Sequence, residues 1–163
     1  GVVRRRVLPQ LDAGVVYELT EYGGELEPIL LQLGLWGARS LGEPTAGDMF
    51  TLDAAILSLY ATFRAEYAAG IRAAYELRYG PVTVHALVDD GALKAAEGGY
   101  SDADLVISSH GSLRPLMAGE LTTQEALDSG LVGLTGPRDL FERFVQLFHI
   151  PAPPQLVEGL AVR

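Results

Sequence analysis

Three consecutive arginines near the start of the chain are the residues whose type and spacing most directly suggest chemistry. Arg4, Arg5 and Arg6 belong to an extended segment, so Arg4 and Arg6 point to one face of a strand and Arg5 to the other. Guanidinium groups along a DNA backbone neutralise phosphates and release counterions. The same charges are typical of a solvated edge strand that resists aggregation. The residues alone leave both interpretations open, while the net charge of −9 disfavours nonspecific binding of nucleic acid over the whole surface.

The other polar residues form no convincing catalytic constellation. Residues 108–110 (Ser-Ser-His) place hydroxyls near an imidazole, but adjacency in sequence does not make a triad. The pair Asp89-Asp90 is interpreted as turn chemistry, and no Gly-rich phosphate loop is present. Cysteine is absent, which removes disulfides, thiolate metal sites and a cysteine nucleophile. The histidines, too scattered to suggest a metal site, are His85, His110 and His149. We therefore predict no enzyme, no metal and no cofactor.

The elements that position the arginines are a predicted hairpin and a helix. Residues 1–8 and 15–19 are β-branched runs separated by turn formers, which predicts two paired strands. After Thr20 the apolar residues recur at three- and four-residue spacing, which predicts one helix face, with Pro28 as a possible kink. The residues of that face are Leu26, Ile29, Leu30, Leu33 and Trp36. Composition favours an intradomain core for them, whereas the lack of other elements to cover this face favours a dimer seam.

The rest of the chain predicts a linker and an α+β domain. Residues 40–52 are rich in turn formers, and a helix with an apolar face of Ile56, Leu57, Tyr60 and Phe63 follows. Alternating residues then predict strands at 71–79, 82–88, 93–97, 105–107 and 131–135, with Asp90-Gly91 as a two-residue hairpin turn. Further helices are predicted after Ser112, at a capping box of Thr122 and Glu125, and after Pro137. The predicted sheet is five-stranded, largely antiparallel and covered by helices.

Residues 2–37 resemble the wing hairpin and following helix of HxlR-family winged helix-turn-helix transcriptional regulators. The run YELTEYG (residues 17–23) and the helix ending in Trp36-Gly37 carry most of the resemblance. It implies that Arg4, Arg5 and Arg6 contact DNA and that the helix bearing Leu26 to Trp36 contributes to a homodimer. It also implies that the helices preceding the wing, including the recognition helix, lie outside this sequence. We then expect weak, salt-sensitive and poorly specific DNA binding from this piece alone.

Residues 71–150 are similar to the sterol carrier protein type 2 domain, most clearly in DLVISSHGSLRPLMAGELTTQEALDSGLVGLTGPRDLFERFVQLF (residues 104–148). Its order of elements carries the resemblance, together with Gly119-Glu120-Leu121, Ser129-Gly130 and Gly136, while Gly133 departs from the usual charged strand residue. The resemblance implies a cavity for an apolar ligand beneath helices. The natural lining candidates are Leu113, Leu116, Met117, Leu121, Phe141, Phe144 and Phe148. The alternative is a packed core without space for a ligand, because aromatic residues repeated along one helix face usually pack in a core.

Together the two resemblances imply the end of a winged-helix domain at 1–39 and a sterol-carrier-like domain at 53–163, joined by the predicted linker at 40–52. The predicted function is a DNA-binding, homodimeric and cytoplasmic transcriptional regulator with a small apolar effector. A lipid carrier whose N-terminal element serves only for dimerisation is the alternative. No secretory signal or stretch long enough to cross a membrane is expected. The operator, the effector and the direction of regulation are not encoded in any recognisable motif.

Overall fold

The computed structural model describes residues 1–8, 14–40 and 50–153. Strands β1 (Val3–Leu8) and β2 (Gly14–Leu19) pair antiparallel, with Arg5 opposite Tyr17. This confirms the predicted hairpin. The predicted turn formers at 9–13 lie outside the described residues.

Two helices follow the hairpin, α1 (Glu21–Gly24) and α2 (Glu27–Ala38). The Thr20 hydroxyl caps α1 by accepting from the Gly23 N–H at 3.0 Å. Pro28 lies in the first turn of α2, where its missing N–H has no helical partner to lose. It therefore begins this helix, and the expectation of a kink at Pro28 is corrected.

Helix α3 (Leu52–Thr62) opens the C-terminal part of the chain, capped by Thr51, and a 3-10 turn follows at Ala65–Tyr67. Residues 41–49 of the predicted linker lie outside the described residues. The buried face of α3 consists of Ala55, Leu59 and Thr62, whereas Leu57 is 49% exposed. Ile56 and Phe63 of the predicted apolar face are partly buried against the core, whereas Leu57 lies outside it.

Five strands form the central sheet in the order β5-β4-β3-β6-β7. They are β3 (Arg72–Tyr79), β4 (Val82–Asp89), β5 (Ala92–Glu97), β6 (Leu105–Ser109) and β7 (Val132–Thr135). Only β3 and β6 pair parallel; the other neighbours pair antiparallel. Asp90 and Gly91 both have positive φ, 48° and 85°, as the tight turn between β4 and β5 requires. The predicted fold class, α+β with a largely antiparallel five-stranded sheet, is confirmed.

Helices α4 (Arg114–Met117), α5 (Thr123–Asp128) and α6 (Arg138–Leu147) complete the domain. The predicted capping box of Thr122 and Glu125 is present at α5. Leu113, not Ser112, is the cap residue of α4, although the Ser112 hydroxyl still accepts from the Arg114 N–H at 3.2 Å. The core lies between the sheet and its covering helices.

The hairpin and the five-stranded sheet are separate sheets, and helix α2 packs on α3. The inner side of α2 is formed by partly buried Leu31, Leu35 and Ala38. Leu35 and Ala38 reach the hydrophobic core of the C-terminal domain. Across the described ranges, every helix is too short or too polar to span a lipid bilayer.

Candidate functional site: a basic hairpin and an apolar cavity

One face of the hairpin carries two arginines that share a single carboxylate. Arg4 Nε donates to one oxygen of Glu18 at 3.2 Å, and Arg6 Nη1 donates to the other at 2.8 Å. The hydrogen bond from Arg6, followed by the contacts with Arg4, lowers the pKa of Glu18. Both arginine side chains are nevertheless about two-thirds exposed, at 67% and 60%. This face therefore offers accessible guanidinium groups, but Glu18 offsets half of their charge.

The opposite face of the hairpin is largely apolar and exposed. Arg5 lies on this face beside Tyr17, as their pairing requires. The exposed apolar residues of this face are Val3, Val7, Val15, Tyr17 and Leu19. The hairpin thus separates Arg5 from the other two arginines and surrounds it with apolar side chains.

Helix α2 has a continuous apolar face directed away from the domain. The five residues predicted for a core or a dimer seam (Leu26, Ile29, Leu30, Leu33 and Trp36) are between 40% and 65% exposed. None of them belongs to the core cluster of the described residues. Helix α2 contacts that core through Leu35 and Ala38 instead. Within the described residues these five side chains therefore lie outside the core.

A cavity of about 870 Å³ lies where α2, α3 and the C-terminal domain meet; we call it the junction cavity. Helix α2 contributes Gly34, Leu35 and Ala38, and α3 contributes residues on its cavity-facing side. The remaining wall comes from the segment between β6 and α4. The lining residues outside α2 are Phe50, Ala54, Leu57, Ser58, Ala61, Thr62, Tyr79, Gly80, Ser109, His110, Gly111, Ser112, Leu113, Arg114, Met117 and Ile150. A cavity of this size and lining can hold a small apolar molecule.

The structure places the seven predicted lining residues in two different environments. Leu113 and Met117 line the junction cavity. The other five lie elsewhere: Leu116, Phe141, Phe144 and Phe148 are completely buried in the core, and Leu121 is partly buried against it. The aromatic rings pack against one another: the centroid of the Phe144 ring lies 4.6 Å from that of Phe148 and 5.3 Å from that of Tyr75. Phe141, Phe144 and Phe148 therefore belong to the packed core in this structure.

Arg114 is the charged residue of the cavity wall, and its charge is already compensated. Its Nη1 and Nη2 each donate to a different oxygen of Glu120 at 2.9 Å, a bidentate pair. Its Nε donates to the carbonyl of Ala38, the last residue of α2, at 3.1 Å. Sequence reasoning missed Arg114, because this contact joins residues 76 positions apart. Since no uncompensated charge remains at Arg114, the cavity suits a mainly hydrocarbon ligand.

Three hydroxyl groups of the cavity wall donate to the backbone. Ser58 donates to the Ala55 carbonyl at 2.8 Å, and Thr62 donates to the Ser58 carbonyl at 2.7 Å. Ser109, next to His110 in the sequence, donates to the Gly111 carbonyl at 2.6 Å. These hydroxyl protons are therefore directed at the protein and not at the cavity.

The remaining polar residues serve local structure. Asp90 accepts from the Gly70 N–H at 2.7 Å, which agrees with its interpretation as a turn residue. His85 Nδ1 lies 3.0 Å from the Gly98 carbonyl oxygen, and its ring stacks on Tyr100. Among residues 1–8, 14–40 and 50–153, no three His, Asp or Glu side chains are grouped to hold a metal ion.

Glu76 is a buried carboxylate that sequence reasoning did not single out, because alternation along β3 places it on the side opposite Tyr75 and Leu77. It accepts from the Tyr100 N–H at 2.7 Å and from Arg78 Nε at 2.7 Å. The Tyr100 hydrogen bond, together with Arg78, lowers the pKa of Glu76. A Cβ on Gly99 would lie 2.9 Å from the Glu76 carboxylate, so glycine permits this close approach. Glu76 therefore fastens the loop between β5 and β6 onto the outer face of the sheet.

The N-terminal segment is similar to a known family and to two bacterial regulators. Residues 1–44 match the family described as HxlR-like helix-turn-helix. The HTH-type transcriptional regulator YybR of Bacillus subtilis is 51% identical over 37 residues, which cover 23% of this chain and 30% of that protein. The regulator YtcD of the same organism is 44% identical over 52 residues, covering 32% of this chain and 40% of YtcD. The resemblance stated from the wing sequence is thereby confirmed, and the match spans well under half of each relative.

Three solved structures share part of their length with this chain. The stereoselective inverting sec-alkylsulfatase Pisa1 from Pseudomonas sp. is 19% identical with a TM-score of 0.55, covering 61% of this chain and 16% of the sulfatase. At that identity the likeness concerns the fold alone. A palmitated SCP2L2 from Aedes aegypti is 19% identical with a TM-score of 0.41, covering 60% of this chain and 96% of its own. The ubiquinone synthesis protein UbiJ-SCP2 is 14% identical with a TM-score of 0.44, covering 80% of this chain and 93% of its own.

Proposed function

We propose that this chain is part of an HxlR-type DNA-binding transcriptional regulator whose five-stranded domain binds a small apolar effector. The observation that carries the proposal is the match of residues 1–44 to the HxlR-like helix-turn-helix family, together with the regulators that share this segment. Under this proposal residues 1–39 belong to the winged-helix domain, 40–52 form the linker and 53–163 form the ligand-binding domain. A regulator of this kind acts on bacterial DNA in the cytoplasm.

The hairpin supports the DNA-binding part of the proposal. Arg4 and Arg6 are exposed on one face of a two-stranded ribbon, which is the shape of a wing that lies along a DNA backbone. Arg5 lies on the opposite face, so it cannot touch the same phosphate as its two neighbours. We propose Arg4 and Arg6 as the main phosphate contacts of this segment and Arg5 as a contact to a different part of the duplex.

The exposed face of α2 supports a homodimer. Five large apolar side chains in a row on one helix are rarely left uncovered in a stable monomer. A second copy of the same helix would cover them through a self-complementary contact, as two-fold dimers require. We therefore propose Leu26, Ile29, Leu30, Leu33 and Trp36 as the dimer seam.

The junction cavity supports the ligand-binding part of the proposal. Its volume of about 870 Å³ lies in the range of small-molecule sites, and most of its wall surface is apolar. Because Arg114 is already paired with Glu120, a mainly apolar molecule matches the site better than a compact anion. We propose this cavity, rather than the space occupied by the phenylalanines of α6, as the effector site.

A fluorescence anisotropy titration with the full-length gene product and its own promoter DNA tests the regulator proposal. We expect specific binding that a random-sequence duplex does not reproduce, and a salt dependence set by the number of neutralised phosphates. Absence of binding to both duplexes, with uptake of an apolar probe retained, would instead establish the alternative. In that alternative the chain is a lipid carrier whose N-terminal element only dimerises. The junction cavity favours that alternative as much as it favours a regulator.

A further inference from the structure

Helix α2 forms part of the junction cavity with one side and part of the exposed apolar face with the other. Its inner side, through Gly34, Leu35 and Ala38, is a wall of the junction cavity. Its outer side is the exposed face that includes Leu33 and Trp36. A molecule in the cavity therefore touches the same helix that bears the proposed dimer seam.

The helix is linked to the hairpin through α1, since the Leu26 N–H at the start of α2 donates to the Gly23 carbonyl at 3.2 Å. The Thr20 N–H donates to the Val2 carbonyl at 3.0 Å, and the Thr20 hydroxyl donates to the Gly1 carbonyl at 2.7 Å while capping α1. Gly23 is packed so closely that a Cβ would collide with the Val2 carbonyl oxygen. Hairpin, α1 and α2 are thus connected by short contacts, so a shift of α2 carries the arginines with it.

At its other end α2 is tied to the C-terminal domain beside the cavity. The guanidinium of Arg114 holds the Ala38 carbonyl at 3.1 Å while its other nitrogens hold Glu120. Between α2 and α3, Gly34 lies opposite Ala61, and both of these small residues line the junction cavity. A ligand that fills the space between these walls adds the missing contacts.

From this geometry we infer that the effector acts by direct contact with α2, which it holds against α3, so that ligand occupancy and the placement of the hairpin are coupled. The inference rests on the proposed ligand-binding function and specifies how that function reaches the DNA-binding segment. Coupling requires the ligand to bind the docked arrangement of α2 more tightly than the undocked one, and a cavity with one wall on α2 meets this requirement. The transmission needs no signal through residues 40–52.

A disulfide lock between α2 and α3 tests the inference, because the chain contains no cysteine of its own. A Cβ placed on Gly34 would lie 3.9 Å from the Ala61 Cβ. Disulfides need about 3.5 to 4.5 Å between these atoms, so the G34C/A61C variant can close without moving either helix. The G34S/A61S variant adds side chains of similar size that cannot be oxidised, and it serves as the control.

The measurement is the Kd of dansyl-labelled undecanoic acid for the oxidised and the reduced G34C/A61C variant. In parallel, the disulfide equilibrium is measured in a glutathione buffer with and without saturating probe. We expect oxidation to tighten probe binding by about fivefold or more, the lower range of measured couplings, and the probe to shift the disulfide equilibrium by the same factor. The control should bind the probe equally under oxidising and reducing conditions.

The outcomes separate the inference from the function on which it rests. Probe binding that is equal in the oxidised and reduced variant, with an unshifted disulfide equilibrium, would refute the coupling while leaving the ligand site in place. Tighter binding by the reduced form would also refute it, because the ligand would then favour undocked α2. Failure of the wild-type chain to bind the probe at all would remove the ligand site itself, and the coupling with it.

Discussion

Replacing Glu18 with glutamine should strengthen DNA binding by the hairpin. In the structure Glu18 binds Arg4 at 3.2 Å and Arg6 at 2.8 Å, so two positive charges and one negative charge share this face. The variant removes the negative charge and leaves both guanidinium groups free to meet phosphates. If this adds one neutralised phosphate, the slope of log K against log salt should steepen by about 0.9. The ratio of affinities at about 50 and 200 mM salt should then rise by about 3.5-fold.

Fluorescence anisotropy with a labelled random-sequence duplex over a series of salt concentrations measures this slope. Glu21→Gln is the matched control, because Glu21 is an exposed carboxylate in α1 that forms no ion pair with any described residue. It changes the net charge by the same amount without releasing Arg4 or Arg6. Equal slopes for the two variants, or no change in either, would show that the paired arginines do not contact phosphate.

Four further predictions concern the core, the cavity, the buried carboxylate and a helix cap. Phe144→Ala should lower the free energy of unfolding by about 3–5 kcal/mol in urea titrations, because this fully buried ring packs on two aromatic rings. It should leave the Kd for dansyl-labelled undecanoic acid nearly unchanged, whereas a large loss of affinity would show that α6 contributes to the ligand site. Leu57→Gln should do the reverse, weakening probe binding by about tenfold while stability changes little, since Leu57 is half exposed on the cavity wall. Glu76→Gln should flatten the loss of stability in acid: the lowered pKa of Glu76 stabilises the fold above the pKa of the unfolded chain, and this contribution disappears as the pH falls through the folded-state pKa. Equal acid denaturation curves for wild type and variant would contradict that role. Thr122→Ala should cost about 1 kcal/mol in the same urea assay through loss of the α5 cap, and an unchanged midpoint would show that this cap is redundant.

The sequence predicted most of the fold because local rules determine most of it. Alternation along β3 and β4 places Tyr75 and Val84 inside, and Asp90-Gly91 meets the backbone requirement of a tight turn. The capping box at Thr122 is likewise a local signal. In each case the residues that specify an element lie within it, so no knowledge of distant neighbours is needed.

The position of the cavity could not be predicted in the same way. Periodicity shows that Phe141 and Phe144 face inward, but not whether they meet a void or the ring of Tyr75. The wall that α2 supplies depends on the contact of Arg114 with Ala38, which has no signature in either local sequence. Gly34 and Ala61 line the cavity, and their small side chains leave its volume unfilled. A sequence pattern of large apolar residues identifies packed faces, so it gives no signal for a cavity lined by small ones.

The most direct test is the DNA affinity of the full-length gene product with and without saturating apolar ligand, dansyl-labelled undecanoic acid being the probe. We predict that the ligand changes the Kd for promoter DNA by about fivefold or more, a typical allosteric coupling, and that Leu57→Gln weakens this response at limiting probe. DNA binding that is unchanged when the cavity is demonstrably filled would contradict the claim that one chain links the two sites.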